Sequence, residues 1–346
     1  MGNINFFEKL KSVYIIAEAG VNHNGNINIA KDLIDKAKDV GADAVKFQSY
    51  KANKLANVNT PKVKYQKFNA IKSDETHLEM LQKYELTEDD HINLKNYCDK
   101  KNIDFLSTPY DVESAKLLTR LNVKMFKVAS ADLVDFQLHK YLSSTYKPVI
   151  ISTGMSSIEE IEKTLKIYDL QKSSVILLHC VSNYPCSIKS INLNSIAFLK
   201  NYFKLPVGYS DHSSDSITAS ISVALSSKVY EKHLTLDKKM EGPDHKASSN
   251  PEDFLNIVNE IRKTETILGN YSKSIMEEEL EMRKISRKSI YLARDVKYRQ
   301  YVKESDLNLK RPGIGISPLE MPNIVGKMYL RDISEGELLK KEDFKL

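Results

Sequence analysis

The stretch VYIIAEAGVNHNGNINIAKDLIDKAKDVGADAVKFQ, residues 13–48, decides the fold class. Its two ends, 13–19 and 43–48, are short apolar runs of the kind that form buried strands. Between them, Ile29, Leu33 and Ala37 recur at helical spacing and share one face. A strand, a helix and a second strand in this order predict a βαβ unit with parallel strands.

The same alternation continues along the chain. Six further apolar runs are typical of strands: 104–108, 124–130, 148–153, 174–180, 206–211 and 228–235. Four more segments have helical periodicity: 112–121, 157–168, 216–225 and 252–268. Eight strands alternating with helices predict an α/β fold closed into a (β/α)8 TIM barrel. A doubly wound open sheet is the alternative, but AGVNHNGN follows the first strand where a GxGxxG or GxxxxGK[ST] loop would stand.

The pattern predicts a catalytic barrel over residues 1–270, a linker over 271–286 and a small β-rich domain over 287–346. The last segment contains the Gly- and Pro-dense string KRPGIGISP. A domain of about 60 residues buries little surface, so we expect it to dock against the barrel or a partner subunit. Residues 49–82 form a long insertion after the second strand, and insertions of that length usually contribute to the site.

Composition excludes several functional classes. The chain has 346 residues and a net charge of +5, with no basic tail or zinc-finger spacing, which argues against nucleic-acid binding. A mild positive balance suits small anionic substrates if some lysines converge in a cleft. Three cysteines without a CxxC pair indicate a reducing compartment. No apolar run approaches the ~18 residues of a membrane span, so we expect a cytoplasmic protein.

Polar residues interrupt the apolar strands at their carboxyl ends, which face the catalytic mouth of a TIM barrel. Because strand residues two apart share a face, Lys46 with Gln48 and Glu231 with His233 are expected to point together into that mouth. For a single position such as His179, a hydrogen-bonded side chain on the rim with no role in the site is an equally good interpretation. The polar strand-end residues are Glu18, Lys46, Gln48, Thr108, Lys127, Ser130, Ser152, His179, Ser210, His212, Glu231 and His233.

These residues fall into two chemical groups. Two lysines and several hydroxyls are suited to a phosphate or a carboxylate, which implies an anionic substrate. His212 and His233 end adjacent strands and could bind one divalent metal such as Mn²⁺, or form a neutral hydrogen-bonding pair without metal. His23 and His245 lie in polar loops and are weaker candidates.

Nine strings in order carry a resemblance that covers nearly the whole chain: AEAGVNHNG, VKFQSYKA, LSTPYD, FKVAS, STGMSSIEEI, LHCVSNYP, GYSDHSS, EKHLTLDKKMEGPDHKAS and KRPGIGISP. The chain resembles the sialic acid synthase (N-acetylneuraminate synthase) family, including N,N'-diacetyllegionaminate synthases. The resemblance implies a TIM barrel with a C-terminal antifreeze-like (SAF) domain and a homodimer. It also implies a transferase that condenses phosphoenolpyruvate with an N-acylated mannosamine-type sugar for bacterial surface polysaccharide.

The resemblance also implies roles for single residues. Glu18, Lys46, Lys127 and His233 are the expected catalytic set, and His212 and His233 the ligands of Mn²⁺, with Mg²⁺ or Co²⁺ as alternatives. Phosphoenolpyruvate contacts fall on Lys46, Thr108, Lys127, Ser130, Ser152 and Ser210, and sugar contacts on Gln48, Tyr184 and Asp244. Arg311 is expected to reach the partner subunit's barrel. The chain departs from the family at Ser182, Ala131 and Asp132, which leaves a metal-linked role for Asp132 open.

The expected reaction joins phosphoenolpyruvate to N-acetylmannosamine and gives N-acetylneuraminate and phosphate. A synthase that makes N,N'-diacetyllegionaminate from 2,4-diacetamido-2,4,6-trideoxymannose is the first alternative, because the motifs are shared by makers of both products. A 3-deoxy-heptulosonate-type synthase and a non-enzymatic glycan-binding protein are the others, while pseudaminate synthesis is disfavoured.

Overall fold

The computed structural model describes residues 5–57, 59–62 and 76–345. It divides the chain into two compact units, Met1–Gly269 and Asn270–Leu346. The first is called the barrel unit below and the second the C-terminal unit.

Eight parallel strands form the barrel unit. Their hydrogen-bonded order is β3-β2-β1-β8-β7-β6-β5-β4, and β3 and β4, at the two ends of that order, lie in contact. The circle closes, so the TIM-barrel prediction is confirmed and the open doubly wound sheet is wrong. The strands are β1 Tyr14–Gly20, β2 Ala44–Ser49, β3 Asp104–Pro109, β4 Phe126–Val128, β5 Val149–Ser152, β6 Val175–Cys180, β7 Val207–Asp211 and β8 Val229–His233.

Helices surround the strands, and each helix that periodicity predicted is present with its ends shifted by about three residues at most. The helices of the barrel unit are α1 Ile27–Asp39, α2 Ala52–Leu55, α3 His77–Tyr84, α4 Glu88–Lys101, α5 Val112–Arg120, α6 Phe136–Ser144, α7 Ile158–Leu165, α8 Asn194–Phe203, α9 Ile217–Ala224 and α10 Pro251–Leu268. Across the described ranges, no helix combines the length and the hydropathy that crossing a membrane requires.

Five helices of the described barrel unit, α2, α3, α4, α6 and α8, were not predicted. In α4 only His91, Leu94 and Cys98 are buried, so its apolar stripe is thin. A capping box marks its start instead: the Thr87 side chain accepts from the Asp90 backbone, and the Asp90 side chain accepts from the Thr87 backbone. Capping chemistry and tertiary packing therefore define this helix more than periodicity does.

Each strand contributes to two cores. Outward side chains such as Ile15, Val45 and Leu177 pack beneath the helices. Inward side chains such as Ile16 and Leu178 fill the barrel interior. This alternation directs the polar residues of the strand ends into the mouth. β4 is shorter than predicted because a 3-10 helix, Ser130–Asp132, begins soon after it.

The C-terminal unit has its own small core, which includes Ile290, Tyr329 and Phe344. It contains α11 Glu279–Ser286, the antiparallel strands β9 Ser289–Leu292 and β10 Leu307–Lys310, and the short helix α12 Met321–Ile324. Two buried carboxylates repeat one arrangement within it. Asp306 accepts from Arg294 at 2.8 Å and Asp343 accepts from Arg331 at 2.7 Å. These pairs support a domain whose apolar core is small.

Candidate functional site

The carboxyl ends of the strands surround a cavity of about 780 Å³, a volume suited to a small-molecule substrate. All the predicted site residues of the barrel unit line it: Glu18, Lys46, Gln48, Thr108, Lys127, Ser130, Ser152, Tyr184, Ser210, His212, His233 and Asp244. Arg311, the remaining predicted residue, belongs to the C-terminal unit, where its side chain is exposed.

Two buried lysines lie at the base of the cavity. Lys46 Nζ is 2.5 Å from Glu18 Oε2 and donates to Thr108 Oγ1 at 3.0 Å. Lys127 Nζ donates to Ser152 Oγ at 2.7 Å. Both lysine residues are 3 % exposed, so their ammonium groups are strong anchors for an anion that enters the cavity.

Glu231 lies between these lysines. Its carboxylate is 3.8 Å from Lys46 Nζ and 3.6 Å from Lys127 Nζ, and Ser210 Oγ donates to it at 3.0 Å. Burial by itself would raise the pKa of Glu231, but Lys127 and Lys46 outweigh it and hold the pKa at about 2. Glu231 is therefore a permanent anion that orders the two lysines.

Glu18 behaves differently. Burial raises its pKa to about 7, even though Lys46 opposes the shift and Glu231 reinforces it. Two neighbouring carboxyl groups with pKa values pushed apart are the usual sign of divided acid–base roles. Glu18 can gain or lose a proton near neutral pH, whereas Glu231 cannot.

His212 and His233 lie on adjacent strands, with ring centroids 5.9 Å apart. His212 Nδ1 donates to the Val181 carbonyl at 2.8 Å, which leaves Nε2 as the nitrogen with a lone pair. His233 Nδ1 is buried and has no hydrogen-bond partner among the described residues. The Tyr184 ring lies 4.1 Å from that of His212 and 5.6 Å from that of His233.

The histidine pair could hold a divalent metal ion. Burial lowers the pKa of His212 to about 4 and that of His233 to about 3, so both rings are neutral, the form that binds metal. A buried nitrogen without a partner on His233 fits the same use. No group of three or more His, Cys, Asp or Glu side chains suited to a metal occurs in the described part of the chain. An ion held by the pair would need further ligands, such as water or substrate oxygens.

Asp244 lies in the loop after β8, and the loop after β1 holds it in place. Asn22 Nδ2 donates to the Leu234 carbonyl and to Ser248 Oγ, both at 2.9 Å. Ser248 Oγ donates in turn to the Asp244 carbonyl at 2.7 Å. Burial raises the pKa of the Asp244 carboxyl to about 6.

Comparison with known proteins decides the family. The NeuB family model matches residues 33–273, and the SAF domain model matches residues 287–345. The chain belongs to the NeuB family. The predicted membership is thereby confirmed, together with the antifreeze-like domain.

Relatives within the NeuB family share the full length of the chain. An N,N'-diacetyllegionaminic acid synthase of Legionella pneumophila is 43% identical over 331 residues, covering 94% of this chain and 93% of its own. The synthase of the same name from Campylobacter jejuni is 40% identical over 335 residues, covering 96% and 100%. The structure is similar to that of an N-acetylneuraminic acid synthetase from Leptospira borgpetersenii, with a TM-score of 0.71, 33% identity and coverage of 79% and 90%.

One strand end was assigned wrongly. His179 faces outward: its Nε2 is 2.7 Å from the Ile191 carbonyl, and its ring stacks on Tyr209. Cys180 lines the cavity in its place, with Sγ 3.0 Å from Ser130 Oγ. The residue after His179 shares the face of inward Leu178, so the alternation could have identified Cys180, whereas polarity pointed to its neighbour.

The loop histidines do not line the cavity. His245 is fully buried, with Nδ1 2.6 Å from Thr235 Oγ1 and Nε2 3.2 Å from Asn24 Oδ1. His23 Nδ1 accepts from the Gly25 amide at 3.0 Å. Both stabilise the loops around Asp244.

The insertion after β2 forms one wall of the cavity, as predicted. Its apolar side chains there include Leu55, Met80 and Leu81, and Tyr84, at the end of α3, continues the wall. Part of the predicted insertion, residue 58 and residues 63–75, lies outside the described residues. No single residue of this wall carried a signal in the sequence, since helix α3 brings them together only in the fold.

Proposed function

We propose that this protein is a nonulosonate synthase that joins phosphoenolpyruvate to an N-acylated mannosamine-type sugar and releases phosphate. The observation that carries the proposal is the cavity itself. It combines two buried lysines, a carboxyl group with a pKa near neutrality and two neutral imidazoles. We place the enzyme in the cytoplasm, in keeping with its buried free thiols Cys98, Cys180 and Cys186.

The lysine end of the cavity is suited to phosphoenolpyruvate. Lys46 and Lys127 neutralise its phosphate and carboxylate, and the hydroxyls that line the cavity beside them donate hydrogen bonds. Gln48, Tyr184 and Asp244 would then contact the acceptor sugar.

The reaction forms one carbon–carbon bond. C3 of phosphoenolpyruvate attacks the aldehyde carbon of the sugar, water adds at C2, and the tetrahedral adduct expels phosphate to leave a 2-keto acid. When bound by His212 and His233, a divalent cation supplies a Lewis acid for the aldehyde oxygen. Glu18, as the carboxylate, takes the proton of the attacking water, since its pKa lies near neutral pH. The oxygen of the former aldehyde gains that proton, and the C2 hydroxyl loses its proton to the departing phosphate.

For the acceptor we favour 2,4-diacetamido-2,4,6-trideoxymannose, which would give N,N'-diacetyllegionaminate. Its C6 methyl and additional acetamido methyl match the apolar wall of Leu55, Met80 and Leu81 better than hydroxyls would. Relatives at 43% and 40% identity that carry the legionaminic acid name support this choice. N-Acetylmannosamine, the acceptor first expected from the sequence, is the second candidate.

Phosphate release tests the proposal. The full chain is incubated with Mn²⁺, phosphoenolpyruvate and, separately, N-acetylmannosamine, the 2,4-diacetamido sugar and its altrose isomer, and products are weighed by mass spectrometry. We expect the highest kcat/KM with the 2,4-diacetamido sugar. No phosphate release with any of the three would refute the synthase function and favour a glycan-binding protein.

Two histidine variants separate the metal site from general stability. His212→Ala should abolish turnover while the circular dichroism spectrum is retained. His179→Gln changes a buried histidine outside the cavity and should leave turnover within about threefold of the parent. An active His212→Ala enzyme would refute the metal role.

We further propose a homodimer in which Arg311 enters the partner subunit's barrel. The exposed guanidinium is available for such a contact. Inactive Arg311→Ala and Lys127→Ala chains, refolded together, should regain part of the activity. If mixed dimers form without recovery, Arg311 does not act across subunits.

A further inference from the structure

Two buried charges lie directly behind the histidine pair, on the outward face of β7 and β8. Asp211 is 1 % exposed and Lys232 is 5 % exposed. Other outward positions of the barrel, such as Val45 and Leu177, are apolar. A buried charge is costly unless it is paired and hydrogen-bonded, so this charged pair calls for an explanation.

The Asp211 carboxylate is saturated with donors. Its Oδ2 accepts from Tyr230 OH at 2.6 Å, from Lys232 Nζ at 2.9 Å and from Thr218 Oγ1 at 2.9 Å. Its Oδ1 accepts from the Ser213 amide at 2.8 Å and from Tyr209 OH at 3.2 Å. Five donor groups from two strands, the turn after β7 and helix α9 surround one side chain, and the Thr218 hydroxyl is shared with the Asp215 carbonyl at 2.8 Å.

The charged pair adjoins both histidines in the chain. Asp211 immediately precedes His212, Lys232 immediately precedes His233, and Asp211 and Lys232 are register partners across β7 and β8. Because strand neighbours point to opposite faces, a contact that anchors the outward pair also sets where the inward imidazoles lie.

The backbone around His212 is held from both sides. Ser213 donates its amide to Asp211, and its carbonyl accepts from Lys232 Nζ at 2.7 Å. The His212 carbonyl accepts from the Cys186 amide at 2.8 Å. The residues that flank His212 therefore have little freedom to move.

We infer that Asp211 and Lys232 are positioning residues that hold the His212 and His233 imidazoles at the separation needed to bind one divalent cation. The inference rests on the proposed function, because it extends the metal site assigned there. Outer partners of metal ligands typically change metal affinity by about 10–100-fold when removed, since they preorganise the ligands.

A matched pair of tyrosines provides the test. Tyr230 OH donates to Asp211 at 2.6 Å, and Tyr14 OH donates to Asp104 at 2.6 Å at the opposite end of the barrel. Mn²⁺ affinity of the full chain is measured from the electron paramagnetic resonance signal of the free ion, with Tm from circular dichroism. Tyr230→Phe should raise the Kd about 10-fold, and Tyr14→Phe should change it by less than about twofold.

Thr218→Val is a second variant, which removes another neutral donor from Asp211 and should also weaken Mn²⁺ binding. The positioning role is overturned if the parent binds Mn²⁺ and His212→Ala does not, yet Tyr230→Phe and Thr218→Val bind as the parent does. It is also overturned if Tyr14→Phe weakens binding equally. A parent protein that binds no Mn²⁺ would refute the proposed metal site as well, so the two failures are distinguishable.

Discussion

Both ends of the barrel have an aspartate that accepts from a tyrosine and pairs with a lysine, but only one end excludes water. At the amino ends of the strands, Asp104 pairs with Lys124 at 2.6 Å, with side chains 32% and 48% exposed. At the carboxyl ends, Asp211 pairs with Lys232 at 2.9 Å, with side chains 0% and 5% exposed. The two pairs have the same residue types and similar distances, but they differ in their exposure to solvent.

Burial changes how such an ion pair affects the stability of the protein. An exposed pair gains little, commonly below about 1 kcal/mol, because water and salt screen it. A buried pair costs much to form, and loss of one partner costs about 3–5 kcal/mol because a bare charge is left behind. Asp104 and Lys124 thus make a surface contact, while Asp211 and Lys232 form a rigid support behind the cavity.

The largest expected effect separates Lys127, which lies within β4, from Lys124, which lies just before it. Lys127→Met removes a buried ammonium from the cavity and should lower kcat/KM for phosphoenolpyruvate about 1,000-fold, close to 4 kcal/mol of transition-state stabilisation. Lys124→Met, before the start of β4, should leave it within about twofold. Steady-state phosphate release measures both. A Lys127→Met enzyme with more than about a tenth of the parent activity would contradict an anion-binding role.

Removal of each paired lysine should affect stability very differently. Lys232→Met strands a buried carboxylate and should lower the free energy of unfolding by about 3 kcal/mol or more, against less than about 1 kcal/mol for Lys124→Met. Urea unfolding at pH 7, followed by circular dichroism, gives both values. Equal losses would show that burial does not distinguish the two pairs.

Substitution of the Asp244 carboxyl should change the free energy of unfolding in the opposite direction, because burial raises the pKa of this group. The pKa of Asp244 rises from 3.8 to about 6 on folding because of burial, so its folded-state stabilisation is present below pH 4 and is lost as pH rises through 6. Asp244→Asn stays neutral and should be more stable than the parent by about 3 kcal/mol at pH 7, with less than about 1 kcal/mol of difference at pH 4. Unfolding midpoints between pH 4 and 8 measure the difference. Asp211→Asn, which loses a paired carboxylate, should be less stable than the parent at pH 7.

The smallest effect is the salt dependence of the exposed pair. A double-mutant cycle on Asp104 and Lys124 should give a coupling below about 1 kcal/mol that shrinks further in 1 M NaCl, where the Debye length is about 3 Å. The coupling between Asp211 and Lys232 should not depend on salt, since neither side chain meets solvent. A salt-sensitive coupling there would mean that water reaches the pair.

Much of the barrel and most of its cavity could be predicted from the sequence because buried parallel strands have a recognisable pattern. Their apolar runs end in polar residues such as Lys46 and Ser210, and a packed core would not keep such residues at that point without a use. The two-residue period then places alternate side chains together. The cavity contains the strand-end residues that this reasoning selected, apart from His179.

Other features depend on information that appears only in the fold. The choice between His179 and Cys180 rests on strand register, which polarity alone misread. The apolar wall of Met80 and Leu81 requires α3 to cover the cavity. Nothing in the sequence marks Lys232 as a buried residue. Its burial against Asp211 follows from how α9 covers the strands.

The hydrogen bonds of Asn22 have a consequence for folding kinetics. This side chain joins the loop after the first strand to Leu234 and Ser248, which are 212 and 226 residues further along the chain. Contacts of such long sequence separation form slowly, because most of the chain must be ordered before its two ends meet. The loop that holds Asp244 therefore takes its final conformation when the barrel closes. Recovery of activity during refolding should then measure this closure, which is the last folding step.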